Sequence, residues 1–185
     1  MSFYRRRLPH WIPNQAVLFL TWRLAGSVPL PAVDLPTRGG AGRALPTRDE
    51  RRERVRVGPL WLQDPRVARV VTEALHYGET VRQFYTLHAW VVMPNHVHVI
   101  LEPATVLPDI MRWLKGRTSR SANRILGRTG EHFWQDESWD HWVRSREELQ
   151  DLITYVENNP VRAGLVKSKE EWPWTSARDA ADKRG

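Results

Sequence analysis

Residues 84–102 read FYTLHAWVVMPNHVHVILE, and this stretch decides the fold. Two runs rich in β-branched and aromatic residues, 84–93 and 96–102, predict two strands. Only Pro94 and Asn95 separate them, and both residue types favour a tight turn. The stretch therefore predicts a β-hairpin.

The second strand of this hairpin carries two histidines, His96 and His98, which alternate with Val97, Val99 and Leu101. Because alternate side chains of a strand point to opposite faces, the apolar residues can enter the core while both imidazoles lie on the other face. Neutral imidazole is the commonest metal ligand in proteins, so the pair can share one ion. The plainer alternative is two half-exposed histidines without a ligand. A third ligand with a side-chain oxygen would favour Mg²⁺ or Mn²⁺ over a structural zinc.

A strand and a helix are predicted before the hairpin. Residues 16–24, AVLFLTWRL, have the composition of a first strand. Asp64 and Pro65 indicate a helix start, with Asp as the N-cap and Pro at the first helical position. The apolar residues that follow are spaced as one helical stripe, and we expect this helix to end near Gly78.

Three further elements are predicted after the hairpin. A second helix begins near Pro108, and residues 132–144 are expected to form an irregular fourth strand. Ser145 and Glu148 form a capping box that opens a third helix, which Pro160 limits. The order β-α-β-β-α-β, followed by a helix, predicts an α+β, ferredoxin-like fold with an additional C-terminal helix.

The chain length of 185 residues predicts one domain over residues 1–185. To this domain we assign a basic N-terminal arm (1–15), a long basic loop that we expect to be mobile (25–59) and a C-terminal extension (161–185). Cysteine is absent, which excludes disulfides and cysteine-based chemistry. We find neither a signal peptide nor a membrane span, and therefore expect a cytoplasmic protein without a membrane partner.

The charge balance is basic, with 28 Lys and Arg against 21 Asp and Glu and a net charge of +7. Arginine suits bidentate contact with phosphate, and the ten tryptophans offer flat surfaces for unpaired bases. Both features fit a nucleic-acid partner. They fit equally a soluble protein from a GC-rich genome, so charge does not choose between the two.

The last predicted helix carries Tyr155 and Asn159 at spacing i, i+4, on the flank of its apolar stripe. Docked beside the histidines, Asn159 can supply a third metal ligand through its side-chain oxygen, and Tyr155 can attack a phosphorus atom. The plainer alternatives are a rim tyrosine and an asparagine that caps the turn before Pro160.

Four segments occur in a characteristic order: MPNHVHVIL, WLKGRTSRSANRIL, FWQDESWDHWVRSREEL and ITYVENNPVRAGLV. Together they resemble the single-tyrosine HUH transposases of the IS200-like superfamily. The chain looks most like the REP-associated tyrosine transposases, whose opening is also echoed by YRRRLPH and FLTWRL. The resemblance covers nearly all of the chain except the loop at 25–59.

This resemblance implies a ferredoxin-like fold and metal-dependent cleavage of single-stranded DNA beside hairpins of palindromic repeats. By position, His96 and His98 match the HUH motif of the family, and Tyr155 matches its nucleophile, which forms a covalent 5′-phosphotyrosine. Asn159 matches the polar metal ligand, which is glutamine in many relatives. The implied cofactor is Mg²⁺ or Mn²⁺, and the implied location is the bacterial cytoplasm, in association with the nucleoid.

DNA contacts are predicted at three places. The second helix carries a basic surface made of Arg112, Lys115, Arg117, Arg120 and Arg124. The arm adds Arg5, Arg6 and Arg7, and the segment after the second helix offers Trp134 and Gln135 for an unpaired base. A solvated helix face is the ordinary alternative for such a charge run.

The preferred function is therefore an endonuclease and strand transferase of the transposase type. Two other functions stay open: a non-catalytic nucleic-acid-binding module with the same fold, and a metal-dependent hydrolase in which water attacks. The expected partner is single-stranded or hairpin DNA. The sequence does not decide between a monomer and a homodimer.

Overall fold

Four antiparallel strands form one sheet in the described part of this computed structural model, residues 16–27 and 58–182. The strands are β1 (Leu18–Arg23), β2 (Tyr85–Val92), β3 (His96–Pro103) and β4 (Trp139–Trp142). Their order across the sheet is β2-β3-β1-β4. With helices between β1 and β2 and between β3 and β4, this is the predicted ferredoxin-like arrangement, and the α+β fold is confirmed.

The helices are α1 (Pro65–Thr80), α2 (Leu107–Ile125), α3 (Arg146–Glu157), α4 (Asn159–Arg162) and α5 (Ser176–Asp182). The predicted caps hold: the Asp64 side chain accepts from Arg66 N at 2.9 Å, and Ser145 Oγ accepts from Glu148 N at 3.1 Å. The capping box is only half formed, because the Glu148 carboxylate accepts from Arg144 N at 2.6 Å instead of reaching back to Ser145.

The sheet separates two apolar layers. Helices α1 and α2 pack on one face, where they cover Val97, Val99 and Leu101 of β3. Helix α3 packs on the other face through Leu152 and Val156, against Phe19, Ala89 and Val91 among other residues. The face under α3 is also the face that carries the two histidines. Helix α3 carries the predicted nucleophile, and it therefore packs beside the predicted metal ligands.

Helix α1 ends at Thr80, two residues after Gly78, near which the sequence predicted its end. Gly78 itself lies where two aromatic side chains approach the helix closely. A Cβ on Gly78 would overlap the hydroxyl of Tyr85 and lie 3.1 Å from the Trp113 ring. Tyr85 is buried and donates its hydroxyl hydrogen to Leu75 O at 2.9 Å. Glycine is therefore needed here for space inside a helix and not for ending one.

The fourth strand is shorter than the predicted span of 132–144. Only Trp139–Trp142 pair with β1 as a strand, and a single bridge joins Leu24 to Trp134 further along. The residues between them leave the sheet, and Lys115 Nζ donates to the carbonyl oxygens of Gln135, Asp136 and Glu137. This lysine thus fixes the segment that interrupts the predicted strand.

The C-terminal extension covers the outer edge of β2. Val92 N donates to Trp174 O at 2.9 Å, and Trp90 N donates to Ser176 Oγ at 3.1 Å. Val91 and Thr175 form an antiparallel bridge between these two bonds. The extension therefore satisfies backbone groups that an edge strand leaves unpaired.

The predicted basic arm, with Arg5, Arg6 and Arg7, lies outside the described residues, as does most of the predicted 25–59 loop. Among the helices that the structure does describe, none combines the length and the apolar character needed to cross a membrane.

Candidate active site

The two histidines of β3 converge on one point. Nε2 of His96 lies 3.1 Å from Nε2 of His98, and the side chains are 1% and 0% exposed. Both rings lie on the α3 face, opposite Val97 and Val99, as the alternation predicted. The half-exposure that the alternative assumed is wrong, because α3 and its neighbours bury the pair, and metal binding by the pair stays a prediction.

The outer nitrogen of each ring has its own partner. A hydrogen bond of 2.7 Å joins His96 Nδ1 to Asn95 Oδ1, and another of 2.7 Å joins His98 Nδ1 to Thr21 Oγ1. An amide oxygen accepts, so His96 carries its proton on Nδ1 and presents the Nε2 lone pair inward. A hydroxyl can donate or accept, so Thr21 can serve either tautomer of His98.

Burial lowers the pKa of both imidazoles, and the positive charge of Arg23 adds to the effect. The pKa of His98 falls from 6.5 to about 3, and that of His96 falls well below 6.5, with a further contribution from His98. Both rings are therefore neutral near pH 7. The neutral form is the one that a metal ligand requires.

The donor set fits a divalent cation at this point. The two Nε2 atoms are close enough to contact one ion, and each Nδ1 is fixed by a hydrogen bond, as is usual for metal-ligating histidines. Within residues 16–27 and 58–182, no group of three or more His, Cys, Asp or Glu side chains is placed to hold a metal. Among these described residues, a further ligand would have to be of another kind, such as an amide oxygen.

Tyr155 of α3 lies next to this pair, as its predicted role requires. Its ring centroid is 5.9 Å from that of His98 and 6.1 Å from that of Phe19. The guanidinium carbon of Arg162, on α4, lies 4.8 Å from the centre of the Tyr155 ring. The phenol is half-buried, so its position is set by packing from three sides.

Asn159 does not continue the helix of Tyr155. Helix α3 ends at Glu157, and Asn159 is the first residue of α4, where its carbonyl oxygen accepts from Ala163 N at 2.9 Å. The prediction placed both residues on one unbroken helix, but Pro160 has no N–H to continue the hydrogen-bond ladder onto Val156 O. Asn159 is half-buried, four residues after Tyr155 in the sequence, and its ligand role stays a prediction.

Arg23 was missed by the sequence prediction. It stands directly opposite His96 in the β1–β3 register, just as Thr21 stands opposite His98. Directly opposed residues share a face, so Arg23 lies on the histidine face at the end of β1. Burial lowers its pKa to about 10, and the nearby Tyr155 opposes this shift. The signal was the alternation of Phe19, Thr21 and Arg23 along β1, which places all three on one face.

The arginines of α2 lie on the opposite face of the sheet from the histidines. Four of them are exposed, as the predicted basic surface requires: Arg112, Arg117, Arg120 and Arg124. Arg112 pairs with Asp109 at 2.7 Å, and the guanidinium of Arg117 lies 4.8 Å from the centre of the Tyr77 ring. The predicted DNA contacts and the histidine pair therefore belong to two separate surfaces.

The remaining predicted DNA contacts have structural partners. Lys115 holds the carbonyls of residues 135–137. Gln135 Nε2 donates to Ser27 O at 2.7 Å. Trp134 is 5% exposed, and its Nε1 donates to Thr118 Oγ1 at 2.8 Å. Stacking of Trp134 on a base would require the core packing of this ring to open, which argues against the contact predicted for it.

Comparison with known proteins identifies the family. Residues 62–159, just over half of the chain, match the family described as "Transposase IS200 like". The chain belongs to the IS200-like transposase family. The matched span of this IS200-like transposase contains the hairpin, both histidines and Tyr155.

Among the relatives of this IS200-like transposase is the REP-associated tyrosine transposase of Escherichia coli (strain K12). The two are 30% identical over 99 residues, which is 52% of this chain and 58% of the relative. The chain thus spans little more than half the length of that relative. The predicted resemblance to REP-associated tyrosine transposases is confirmed.

A solved structure of a REP-associated tyrosine transposase bound to a REP hairpin has the same fold as this IS200-like transposase. The TM-score is 0.59 at 22% identity, and the match covers 98% of this chain and 86% of that chain.

Proposed function

We propose that this chain cleaves and rejoins single-stranded DNA at hairpin or palindromic repeats, with Tyr155 as the nucleophile and His96 and His98 as metal ligands. The observation that carries the proposal is the position of the Tyr155 ring, 5.9 Å from the ring of a histidine whose Nε2 meets that of its neighbour. Membership of the IS200-like transposase family supports it independently.

The proposed cleavage is an exchange of phosphoester bonds. Tyr155 Oη attacks the scissile phosphorus, the Oη–P bond forms and the P–O3′ bond breaks. The phenol loses its proton to solvent, and the departing O3′ gains one. The product is a 5′-phosphotyrosine and a free 3′-hydroxyl. Attack of a 3′-hydroxyl on the phosphotyrosine reverses these steps and reseals the strand, so no external energy source is needed.

The metal would be Mg²⁺ or Mn²⁺, held by His96 and His98 with Asn159 as the proposed third ligand. When bound, it would polarise the phosphoryl oxygens and stabilise the charge that develops on them. Thr21 and Asn95 hold the two rings in the orientation that presents both Nε2 atoms.

Arg23 is proposed to supply a fixed positive charge to the scissile phosphate. It lies beside both histidines and interacts electrostatically with Tyr155. With its pKa at about 10, the guanidinium is still charged at neutral pH. An anion is the natural partner of a site that collects an arginine and a divalent cation, and a phosphodiester provides one.

The hairpin substrate is carried over as a proposal from the solved relative bound to a REP hairpin. The two surfaces described above fit such a substrate. The histidine face would take the single strand to be cut, and the exposed arginines of α2 would contact phosphates of a more distant part of the DNA.

The test is an adduct assay with labelled single-stranded hairpin oligonucleotides from the DNA that flanks the gene. Protein is incubated with Mg²⁺ or Mn²⁺ and the products are separated on a denaturing gel. We expect a covalent protein–DNA band that disappears in Tyr155→Phe, in His96→Ala and with EDTA. Tyr77→Phe is the matched control, because Tyr77 is an exposed tyrosine on the opposite layer.

Each other outcome points to a different function. Nicking without a covalent band would indicate attack by water and would reject Tyr155 as the nucleophile. Salt-sensitive binding without any cleavage, on DNA shown to contain the target repeat, would indicate a non-catalytic DNA-binding module. Loss of the band in Tyr77→Phe as well would mean that the effect of Tyr155→Phe is not specific.

A further inference from the structure

Trp139 of β4 lies on the same face of the sheet as the histidine pair. It stands directly opposite Thr21, whose hydroxyl binds His98. Its ring packs against Phe19 at 5.5 Å in an edge-to-face arrangement. The same Phe19 ring is 6.1 Å from Tyr155 and 5.5 Å from His98. One buried phenylalanine thus joins the indole, the proposed nucleophile and a proposed metal ligand.

The indole plane has a fixed orientation. His141, two residues along β4 on the same face, lies parallel to Trp139 at 4° with ring centroids 5.8 Å apart. His141 is itself held by the Glu148 carboxylate at 2.8 Å. His141 therefore stacks on one face of the indole, and Glu148 anchors this stack to the first turn of α3. Trp139 is only half-buried, so part of the indole stays open to solvent.

From this geometry we propose that Trp139 is the stacking surface for a nucleobase that adjoins the scissile phosphate. The proposal rests on the proposed function and adds a base-binding subsite to it. A half-exposed indole beside the reacting groups offers a π-face that any base can use, which suits a strand whose bases are unpaired. Stacking would fix the nucleotide next to Tyr155, and so align its phosphate for attack.

The role falls to Trp139 and not to the tryptophan that the sequence predicted. Trp134 is buried against Trp22 and Phe133 on the α1–α2 side. Trp142 is 43% exposed but lies opposite Leu18, which belongs to the other apolar layer. Among the described tryptophans of this segment, Trp139 is therefore the one placed on the histidine face.

The experiment places 2-aminopurine at successive positions of the hairpin oligonucleotide, on both sides of the nicked phosphate. Binding is measured with Tyr155→Phe protein, so that the strand stays intact. Stacking on an indole quenches 2-aminopurine fluorescence. We expect quenching at one or two adjacent positions, its loss in Trp139→Ala and its partial retention in Trp139→Phe. Affinity should fall about 5- to 150-fold in Trp139→Ala.

Trp142→Ala is the matched control, because it removes a tryptophan from the same strand on the opposite face. It should keep the quenching pattern. Replacement of the quenched base by an abasic site should weaken DNA binding by the protein that keeps Trp139. The same replacement should leave the DNA affinity of the Trp139→Ala protein unchanged. Two results would overturn the proposal. One is equal 2-aminopurine quenching in Tyr155→Phe proteins with and without Trp139→Ala, and the other is an equal loss of quenching in Trp139→Ala and Trp142→Ala. The adduct assay is run on the chain that keeps Tyr155, and it reports separately on the proposed function.

Discussion

The hydroxyl oxygen of Thr21 lies 2.7 Å from Nδ1 of His98, on the neighbouring strand and directly opposite in register. A residue of β1 therefore sets the orientation of an imidazole on β3. Because a hydroxyl can donate or accept, this contact can persist whether or not His98 Nε2 carries a proton. The pairing of the two strands is thus part of the proposed metal site.

Replacement of Thr21 by valine should weaken metal binding without unfolding the chain. Valine keeps the shape but leaves His98 Nδ1 buried without a partner, and losses of this kind reduce metal affinity about 10- to 100-fold. The measurement is the Mn²⁺ concentration that gives half-maximal adduct formation. Thr21→Ser is the control, since it keeps the hydroxyl. Equal Mn²⁺ requirements for the valine and serine variants would contradict the role of Thr21.

Arg23→Gln should slow cleavage about 100-fold or more once DNA is bound, because it removes the fixed charge proposed for the phosphate. Single-turnover adduct formation at saturating DNA measures this step directly. Arg23→Lys keeps a charge without the bidentate geometry, so its cleavage rate should lie between those of wild type and Arg23→Gln. A glutamine variant that reacts at the wild-type rate would show that Arg23 only fills the end of β1.

Arg124 and Lys115 separate DNA contact from structural support on α2. Arg124 is exposed, and its replacement by alanine should lower the slope of log affinity against log salt by about 0.7 to 0.9 without changing the melting temperature. Lys115→Met should lower the melting temperature, because three carbonyls lose their donor. If the salt slope of Arg124→Ala matches wild type, this residue does not meet a phosphate.

Gly78→Ala should destabilise the fold by about 1–3 kcal/mol, since the added methyl group overlaps buried Tyr85. Chemical denaturation measures the change. Gly116→Ala is the matched control in another helix, where the methyl group meets only Arg120 at 3.8 Å. That variant should gain up to about 1 kcal/mol from helix propensity. Destabilisation of both to the same extent would show that space at residue 78 is not the cause.

Tyr85 should make the fold less stable at high pH. Burial raises the pKa of its phenol, with a smaller contribution from Glu79. The folded chain therefore holds this proton more tightly than the unfolded chain, whose phenol ionises near pH 10. The stabilisation is complete below about pH 10 and is lost as the pH rises above it. In Tyr85→Phe, the free energy of unfolding should therefore fall less steeply than in wild type as the pH rises from about 10 to about 11.

Local signals in the sequence predicted most of the fold. The Asp64–Pro65 pair marked the start of α1, and the alternation at His96 and His98 placed both rings on the correct face. Such signals act between residues that are close in sequence, so each chain segment contains the information that specifies its own helix or strand. They predicted the order of the strands and helices along the chain, the hairpin, and the helix that carries Tyr155.

What the sequence did not predict depends on neighbours from distant segments. Gly78 read as a helix end because its partner, Tyr85, approaches only after β2 has docked on α1. Trp134 read as a free aromatic residue because its burial depends on Trp22 and Phe133. Arg23 and Thr21 had the correct alternation, but their importance depends on the register that sets them opposite the histidines.

The contact between the C-terminal extension and β2 has a consequence for how copies of this chain meet. The backbone of Trp174 and the side chain of Ser176 accept hydrogen bonds from the amides of Val92 and Trp90 at the outer edge of β2. These amides are therefore not available to pair with a strand of a second molecule. A chain that stopped before Trp172 would expose an apolar strand edge at Trp90–Val92. Intermolecular strand pairing, and through it aggregation, is then the expected fate of such a truncated protein.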